Sequence, residues 1–449
     1  MGVRHGVFCM LVLAGCATTD EHDTLQRLRA HAQLTPDAPV ALVRGQAQQQ
    51  ANAVHVDALL AQPLSQEAAV RLMLLNSPQF QTLLAEGLEN AAHAAQAGRV
   101  SNPRFNWERS VFQSEVEVGR LLTVGLFDLI SLPWRTDIAQ QEVERARLQM
   151  AQRVVEQTHT VRQAWVEALA AQQKLRYANQ VLDSAKASAE LAKRMQEAGN
   201  FTRLEHAKQH SFYTEAVVNM TLAKHQNKAA HEALVRALGL TMEHAAQLRL
   251  PDRLPDLPLT PKQAQEFGTH ATSRLDLQLA KLSYDRAMQA QGLSRVSQFV
   301  DVDLGVRRDT VFQNNGAPSA RKRGYELEID LPIFDWGGLQ REAMQAATLV
   351  AANRLEATLR EAESSVRAHY SAYQANYDMA RYYQEEVLPL KQRIAEENLL
   401  RYNGMQLGVF DLLAESREHV HAVMQALDAQ ADFWRADARL QAVLMGALN

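Results

Sequence analysis

Two hydrophobic periods divide the chain. Over long stretches apolar residues recur in heptads. Val154, Val161, Ala168, Leu175, Leu182 and Ala189 lie seven apart, with Thr158 and Trp165 at the second seam position. Leu359, Val366, Tyr373, Ala380, Val387 and Ile394 repeat the spacing, with Ala362, Tyr383 and Leu390 between them. A sustained period of 3.5 residues predicts helices that supercoil against one another. The helices are expected from about Arg135 to Ala198 and from about Leu339 to Tyr402. At 1.5 Å per residue each is a rod of roughly 96 Å, too long for one globule.

Four short stretches alternate instead with period two. Phe105, Trp107 and Val111 interleave with Asn106, Glu108 and Ser110, and Val116, Val118, Leu122, Val124 and Leu126 share one face. Val300, Val302, Leu304 and Val306 interleave with Asp301, Asp303 and Gly305; Tyr325, Leu327, Ile329 and Leu331 interleave with Glu326, Glu328 and Asp330. These patterns predict strands with one dry and one wet face. Strands of about 9–11 residues cross a bilayer when tilted.

The parts occur twice in the same order: a helix (Ser65 to Gly98; Pro261 to Gln291), two strands, a very long helix, a glycine turn and a return helix (to Gly239; to Met445). Phe127-Asp128 corresponds to Phe334-Asp335 and Gly199 to Gly404, at offsets of 207 and 205, as expected of an internal duplication. The expected organisation is a signal segment over 1–15, a lipidated linker or equatorial segment over 16–64, a first repeat over 65–250, a proline-rich linker over 251–260 and a second repeat over 261–449.

Composition agrees with long helices. Among 449 residues there are only 20 Gly and 13 Pro, and 47% are hydrophobic while 6% are aromatic. The formal net charge of −4 leaves no basic excess for a nucleic-acid partner. No apolar run reaches the ~18 residues of a membrane helix, which leaves a β-barrel open. Four strands cannot close a barrel and open edges are not tolerated in lipid, so three chains, supplying twelve, are expected: a homotrimer.

Both cysteines lie at the N-terminus. Arg4 and His5 precede the apolar run Val7 to Ala14, the layout of a secretory signal. Leu13-Ala14-Gly15-Cys16 matches the bacterial lipobox, in which Cys16 is lipidated and becomes the mature N-terminus; the other reading is a plain signal with a chance cysteine. Ala17, rather than an aspartate, points to the outer membrane. Cys9 is then discarded, and the only attached group is the lipid on Cys16, with no cofactor.

Sharper chemistry finds little support. There is no Gly-rich phosphate loop, nucleophile elbow or His-Glu-x-x-His motif, and His231-Glu232 lacks the second histidine. The chain is therefore not read as an enzyme. His206 and His210 share a helix face, as weak metal candidates; a strong site needs three or four ligands, and solvated histidines are the plainer reading. His419 and His421 are spaced onto different faces. Acids on the wet strand positions (Glu108, Glu117, Asp301, Asp303, Glu326, Glu328, Asp330) give either a negative lumen or simple solubility. Arg307, Arg308, Arg321, Lys322 and Arg323 flank the loop between strands three and four, either facing outer-leaflet phosphates or solvated.

The ordered motifs resemble the TolC-like outer-membrane efflux proteins, the lipoprotein branch in particular. The resemblance rests on the lipobox, Phe127-Asp128 with Leu132-Pro133, Leu331-Pro332-Ile333-Phe334-Asp335, Val387-Leu388-Pro389-Leu390, Arg401-Tyr402-Asn403-Gly404 and Val409-Phe410-Asp411-Leu412-Leu413. It covers nearly all of Ser65 to Met445, and departs from the common Ala-Gly pair at Asn403-Gly404. It implies a mainly α fold with a small β part: coiled-coil hairpins and four membrane strands per chain, joined by three chains into a 12-stranded β-barrel with an α-helical periplasmic tunnel.

The function so implied is a passive exit duct of a tripartite efflux system, with a periplasmic adaptor protein, an inner-membrane pump and outer-membrane lipid as partners. A duct for protein secretion is the alternative, and a non-conducting stalk a more distant one. The resemblance also places a periplasmic constriction at Glu205, Asp411 and Glu415, and adaptor-docking tips at Gly199, Asn200, Phe201, Asn403, Gly404 and Val409. Pro389 in mid-helix predicts a kink.

Overall fold

The computed structural model describes residues 21–35, 38–113, 115–263, 274–297, 301–313, 318–330, 334 and 337–448. The signal segment, Cys16, Val300, Leu331, Pro332, Ile333 and Asp335 lie outside the described residues, as do the side chains of Asp301 and Asp330. The fold is mostly helical with one small antiparallel sheet. The chain forms two compact units, one from Met1–Leu28, Ala85–Met150 and Asp276–Arg360, the other from Arg29–Leu84, Ala151–Leu275 and Glu361–Asn449. Each unit thus draws on both halves of the repeated sequence.

The first unit holds the sheet, β1 (Arg104–Phe112), β2 (Glu115–Gly125), β3 (Asp301–Gln313) and β4 (Pro318–Asp330), paired in the order β1-β2-β3-β4. Helix α1 (Glu21–His31) begins here, and buried Arg147 ties it down by donating to Asp23 (2.9 Å) and Thr24 (3.1 Å). A short helix α5 (Leu126–Ile130) links β2 to the long helix α6 (Leu132–Glu197), whose second residue is Pro133. Proline suits a first turn, where the missing N–H has no helical partner in any case. Asp128 of the Phe127-Asp128 pair accepts from Arg135 (2.9 Å), which also donates to the Ala97 carbonyl (3.0 Å). That clamp fixes the strand-to-helix junction and holds the end of α4 (Pro78–Ala97) against α6. Ala91, Ala95, Val143 and Ala146 form a small-residue core between these two helices. Further along, α9 (Leu275–Ser297) meets α6 through Arg286 and Glu142 (2.7 Å), and α10 (Gly338–Tyr382) through Thr348.

The second unit is helical. It includes α2 (Gln46–Leu60), α3 (Gln66–Asn76), the far part of α6, α7 (Arg203–Leu238), a short α8 (Met242–Gln247), α11 (Leu388–Asn403) and α12 (Val409–Leu444). The first heptad seam is buried at Val154, Val161 and Ala168; beyond it Ala178, Ala185 and Ala192 carry the burial, with Leu175, Leu182 and Ala189 half-buried. Buried residues of α7 as far as Ala223 are equally small, Ala216 and Ala223, with buried Gln209. In the other half Ala362, Tyr373, Tyr377 and Ala380 are buried while Leu359 and Leu390 of the expected seam are exposed. Tyr373, Tyr377 and Phe433 form an aromatic core, with ring centroids 5.4 Å and 5.7 Å apart about Phe433. Burying each such ring contributes on the order of 1.5–3 kcal/mol.

The proline-rich segment is strapped to this core. Tyr377 donates to the Pro258 carbonyl (3.0 Å), Trp434 to Pro255 (3.0 Å) and Tyr370 to Lys262 (3.2 Å). The polar ends of buried aromatics thereby satisfy a backbone that has no secondary structure of its own.

Candidate functional site

The sheet separates its two faces by charge. Register pairs Trp107, Arg120, Arg308 and Arg323 across all four strands in one row, and Phe105, Leu122, Val306 and Tyr325 in the next. The alternate residues form the other face. There Arg307 grips Asp309 through both carboxylate oxygens (3.0 and 3.1 Å), and Lys322 reaches Glu117 (3.1 Å). Arg104 meets Asp303 on the same face. A Cβ on Gly119 would stand 3.3 Å from Asp309 Oδ1, so glycine leaves room for the buried Asp309 carboxylate. The apolar side chains face outward and uncovered within the chain: Phe105 is 65% exposed, Trp107 56% and Tyr325 87%. β1 and β4 are open edges.

Both hairpin turns of the second unit contain the residues expected at the tips. After α6 the chain turns through Gly199, whose φ of +80° is left-handed, and Asn200 N–H donates back to the Met195 carbonyl (2.8 Å). Glycine takes that conformation without the Cβ clash that burdens other residues. Thr202 then starts α7 with a reciprocal cap: its hydroxyl accepts from Glu205 N–H (3.2 Å), and the Glu205 carboxylate accepts from Thr202 N–H (2.6 Å). The Thr202 backbone N–H, with its hydroxyl and then Lys208, holds the Glu205 carboxyl below the usual carboxylate range. Gly199 and Asn200 are exposed and Phe201 half-buried.

The second tip is built differently. Gly404 has φ −79°, and the left-handed residue is Met405 (φ +59°). Gln406 N–H donates to Arg401 (2.8 Å), the counterpart of the Asn200 bond. The structural equivalent of Gly199 is therefore Met405, one residue beyond the expected Gly404. Gly408 caps α12 without any side-chain bond. Asn403 and Gly404 are exposed and Val409 half-buried.

The expected constriction acids stand in different surroundings. Glu205 is engaged in its cap, Glu415 faces Lys391 of α11 (3.4 Å), and Asp411 is exposed in the first turn of α12 with no ion pair among the described residues. A carboxylate there is favoured by the helix N-terminus. The mid-helix proline leads into a π-turn. Residues Tyr383–Val387 adopt it, Leu388 N–H bonds to the Tyr383 carbonyl, and Pro389 follows at the start of α11. The wider turn accommodates the hydrogen bond that proline cannot donate.

His206 and His210 stack with ring centroids 6.1 Å apart, in a groove shared with Lys186, Lys193 and Arg194. Glu190 lines the groove too but is paired with Arg194 (3.0 Å), and no group of three potential ligands occurs among the described residues. The buried seam near the tips includes Gln209, which accepts from Arg417 of α12 (3.2 Å), whose guanidinium lies 4.4 Å from the Phe212 ring. Sequence spacing did not single out Gln209, a polar residue at a heptad position. The Thr202-x-x-Glu205 spacing is the signal of a cap that the assignment of Glu205 to the constriction passes over.

Residues 69–240 match the family described as outer membrane efflux protein. No curated relative matches the chain. Solved structures with the same fold include the outer membrane protein VceC of Vibrio cholerae, with TM-score 0.71 and 15% identity over 85% of this chain and 96% of that one. The CmeC outer membrane channel of Campylobacter jejuni gives TM-score 0.73 and 13% identity, covering 86% of each chain. The open state of the MtrE outer membrane channel of Neisseria gonorrhoeae gives 0.61 and 20%, over 85% and 89%. Residues 69–240 are thus similar to the outer membrane efflux protein family, and the chain has the fold of these outer membrane channel structures.

Proposed function

We propose that the protein is the passive exit duct of a tripartite efflux system in the outer membrane, anchored by lipid on Cys16. The observation that carries this reading is the sheet: four strands with two open edges, one face apolar and uncovered, the other charged and internally paired. Lipid requires such edges to be closed, and three copies make a twelve-stranded wall. The charged face then lines water and the apolar face meets hydrocarbon. Exposed seam residues such as Leu359 and Leu390 supply surface for neighbouring copies.

The two tips, at Gly199, Asn200, Phe201 and at Asn403, Gly404, Val409, offer the surface for a periplasmic adaptor, which connects the duct to an inner-membrane pump. Asp411, Glu415 and Glu205 form its periplasmic constriction. Asp411 and Glu205 carry most of the cation preference there, because Glu205 stays ionised against the neutral Thr202 N–H while Glu415 is paired with Lys391. The duct performs no covalent step.

Native mass measurement of protein extracted in detergent, followed by planar-bilayer recording, tests the reading. Three palmitate-labelled copies that conduct are expected, with the label lost in Cys16→Ser. A folded monomer that forms no conducting state overturns the duct and leaves a helical stalk.

A further inference from the structure

The apolar face of the sheet is interrupted by arginine. Arg120, Arg308 and Arg323 lie directly opposite one another in one row, and Arg109 and Arg321 lie in the next row toward the hairpin ends. None of the five makes an ion pair among the described residues; Arg120 donates only to Thr310 (3.4 Å). No acid shares their face. Glu108, Glu115, Glu117, Asp303, Asp309, Glu326 and Glu328 all fall on the opposite one, where Arg307 and Lys322 pair with them. Arg308, Arg321 and Arg323, expected to flank the loop between strands three and four, are strand residues sorted by alternation. The cations with partners point one way and those without point the other.

Like charges directly opposite on neighbouring strands repel. Three guanidinium groups in one cross-strand row therefore call for an anionic layer outside the chain. The same face also says what kind of anion. Below the arginines come Phe105, Leu122, Val306 and Tyr325, then Val124, Leu304 and Leu327, then Val302 and Ile329. At about 3.4 Å per residue, those rows form an apolar band roughly 14 Å long along the strands. Trp107 stands in the arginine row, at the boundary where amphipathic rings sit in membrane proteins.

We propose that Arg109, Arg120, Arg308, Arg321 and Arg323 form a binding site for the phosphate groups of an anionic lipid, whose acyl chains lie along the apolar rows beneath. The proposal rests on the membrane-wall reading of the sheet. Both hairpin turns lie at the arginine end and the helices at the other, so the site belongs to the leaflet farther from the helices. Guanidinium forks match phosphate oxygens in pairs, which lysine does not. A free anion would have no use for the adjoining apolar rows.

The test uses the full-length protein in neutral detergent, with retained lipid read by native mass spectrometry. The probes are a bisphosphorylated glucosamine lipid, the same lipid without its phosphates, and inorganic phosphate. Wild type should retain the bisphosphorylated lipid at least roughly tenfold better than the phosphate-free form. Arg120→Gln/Arg308→Gln/Arg323→Gln should lose that preference, and Lys322→Gln, on the other face, should keep it. Should the triple variant fail to assemble, Arg308→Gln alone should weaken retention several-fold.

Equal retention by the variants, or of both lipids, overturns the proposal. So does displacement of the lipid by millimolar inorganic phosphate, which marks a simple anion site. Conductance of the same preparations in phosphocholine bilayers separates the two readings. Silent wild-type protein refutes the duct, while the lipid preference still decides this site.

Discussion

The two hairpin tips do the same topological task with different local chemistry. At the first, a glycine occupies the left-handed position and a threonine and a glutamate cap each other at the start of α7. At the second, a methionine occupies the left-handed position and a glycine starts α12 with no side-chain cap. The first tip is satisfied within a few residues of itself. The second carries backbone strain and uncapped N–H groups, so it depends more on Lys391, which bridges α11 to Glu415 and Glu418 (3.4 and 3.7 Å). Adjacent to it, α11 is set off by a π-turn and a proline. A tip held by distant contacts opens more readily than one held by its own caps. The second hairpin is therefore the softer of the two.

The largest expected effect comes from adding one methyl group at each glycine. Gly199→Ala forces a Cβ into φ +80°, with no neighbour within 4 Å to blame, so the cost is backbone strain of about 1–2 kcal/mol. Gly404→Ala has φ −79° and its nearest atom at 3.5 Å, so its cost stays within about 0.5 kcal/mol. Amide hydrogen exchange across both turns measures the difference. Equal destabilisation would remove the distinction between the tips.

How much of this was legible in the sequence depends on scale. The heptads and the period-two stretches located the long helices and all four strands, because each has one face that must avoid water. The apolar alternation reaches only Val306 in β3 and begins at Tyr325 in β4, whereas both strands run on through Arg307-Arg308 and Arg321-Lys322-Arg323. Arg307 meets Asp309 two residues along its own strand, and only the register shows that Lys322 has Glu117 as a partner. Helix does continue past Val387 to Asn403, and Pro389 announces the kink but not the π-turn over Tyr383–Val387 that absorbs it. At the tips, Gly404 was the natural candidate for the turn, yet the backbone placed the left-handed residue at Met405. A one-residue shift of that kind is set by how α11 and α12 must meet, which no local pattern records.

A middle-sized effect tests the cap. Thr202→Ala removes the hydroxyl that accepts from Glu205 N–H and should destabilise the start of α7 by about 1 kcal/mol. No equivalent substitution exists at Gly408, where nothing is lost by removing a side chain. Acid should act on the first tip with a definite sign. The folded Glu205 carboxyl titrates below its ordinary range, so its contribution is fully present above that range and fades as pH falls through the depressed value. Exchange at the Thr202 amide should therefore accelerate only in that acid window, and Glu205→Gln should abolish the transition. A transition at or above the ordinary carboxylate range would contradict the cap.

The smallest effect runs in the opposite direction and bears on the second tip alone. Met405 is 96% exposed, so its side chain contributes no packing that a substitution would sacrifice. Met405→Gly relieves left-handed strain of about 1–2 kcal/mol and costs about 0.5–1 kcal/mol in the greater freedom of the unfolded glycine. The balance is a gain between zero and about 1.5 kcal/mol, read as slower exchange at Gly404 to Gln406 with no change at Gly199 to Phe201. If the second tip is the softer one because of its own backbone, this single change should bring the two turns closer in protection. If protection does not rise, the left-handed residue is not the source of the softness. The distant tie of Lys391 to Glu415 then sets the stability of that hairpin, and Lys391→Met should loosen it by more than Met405→Gly tightens it.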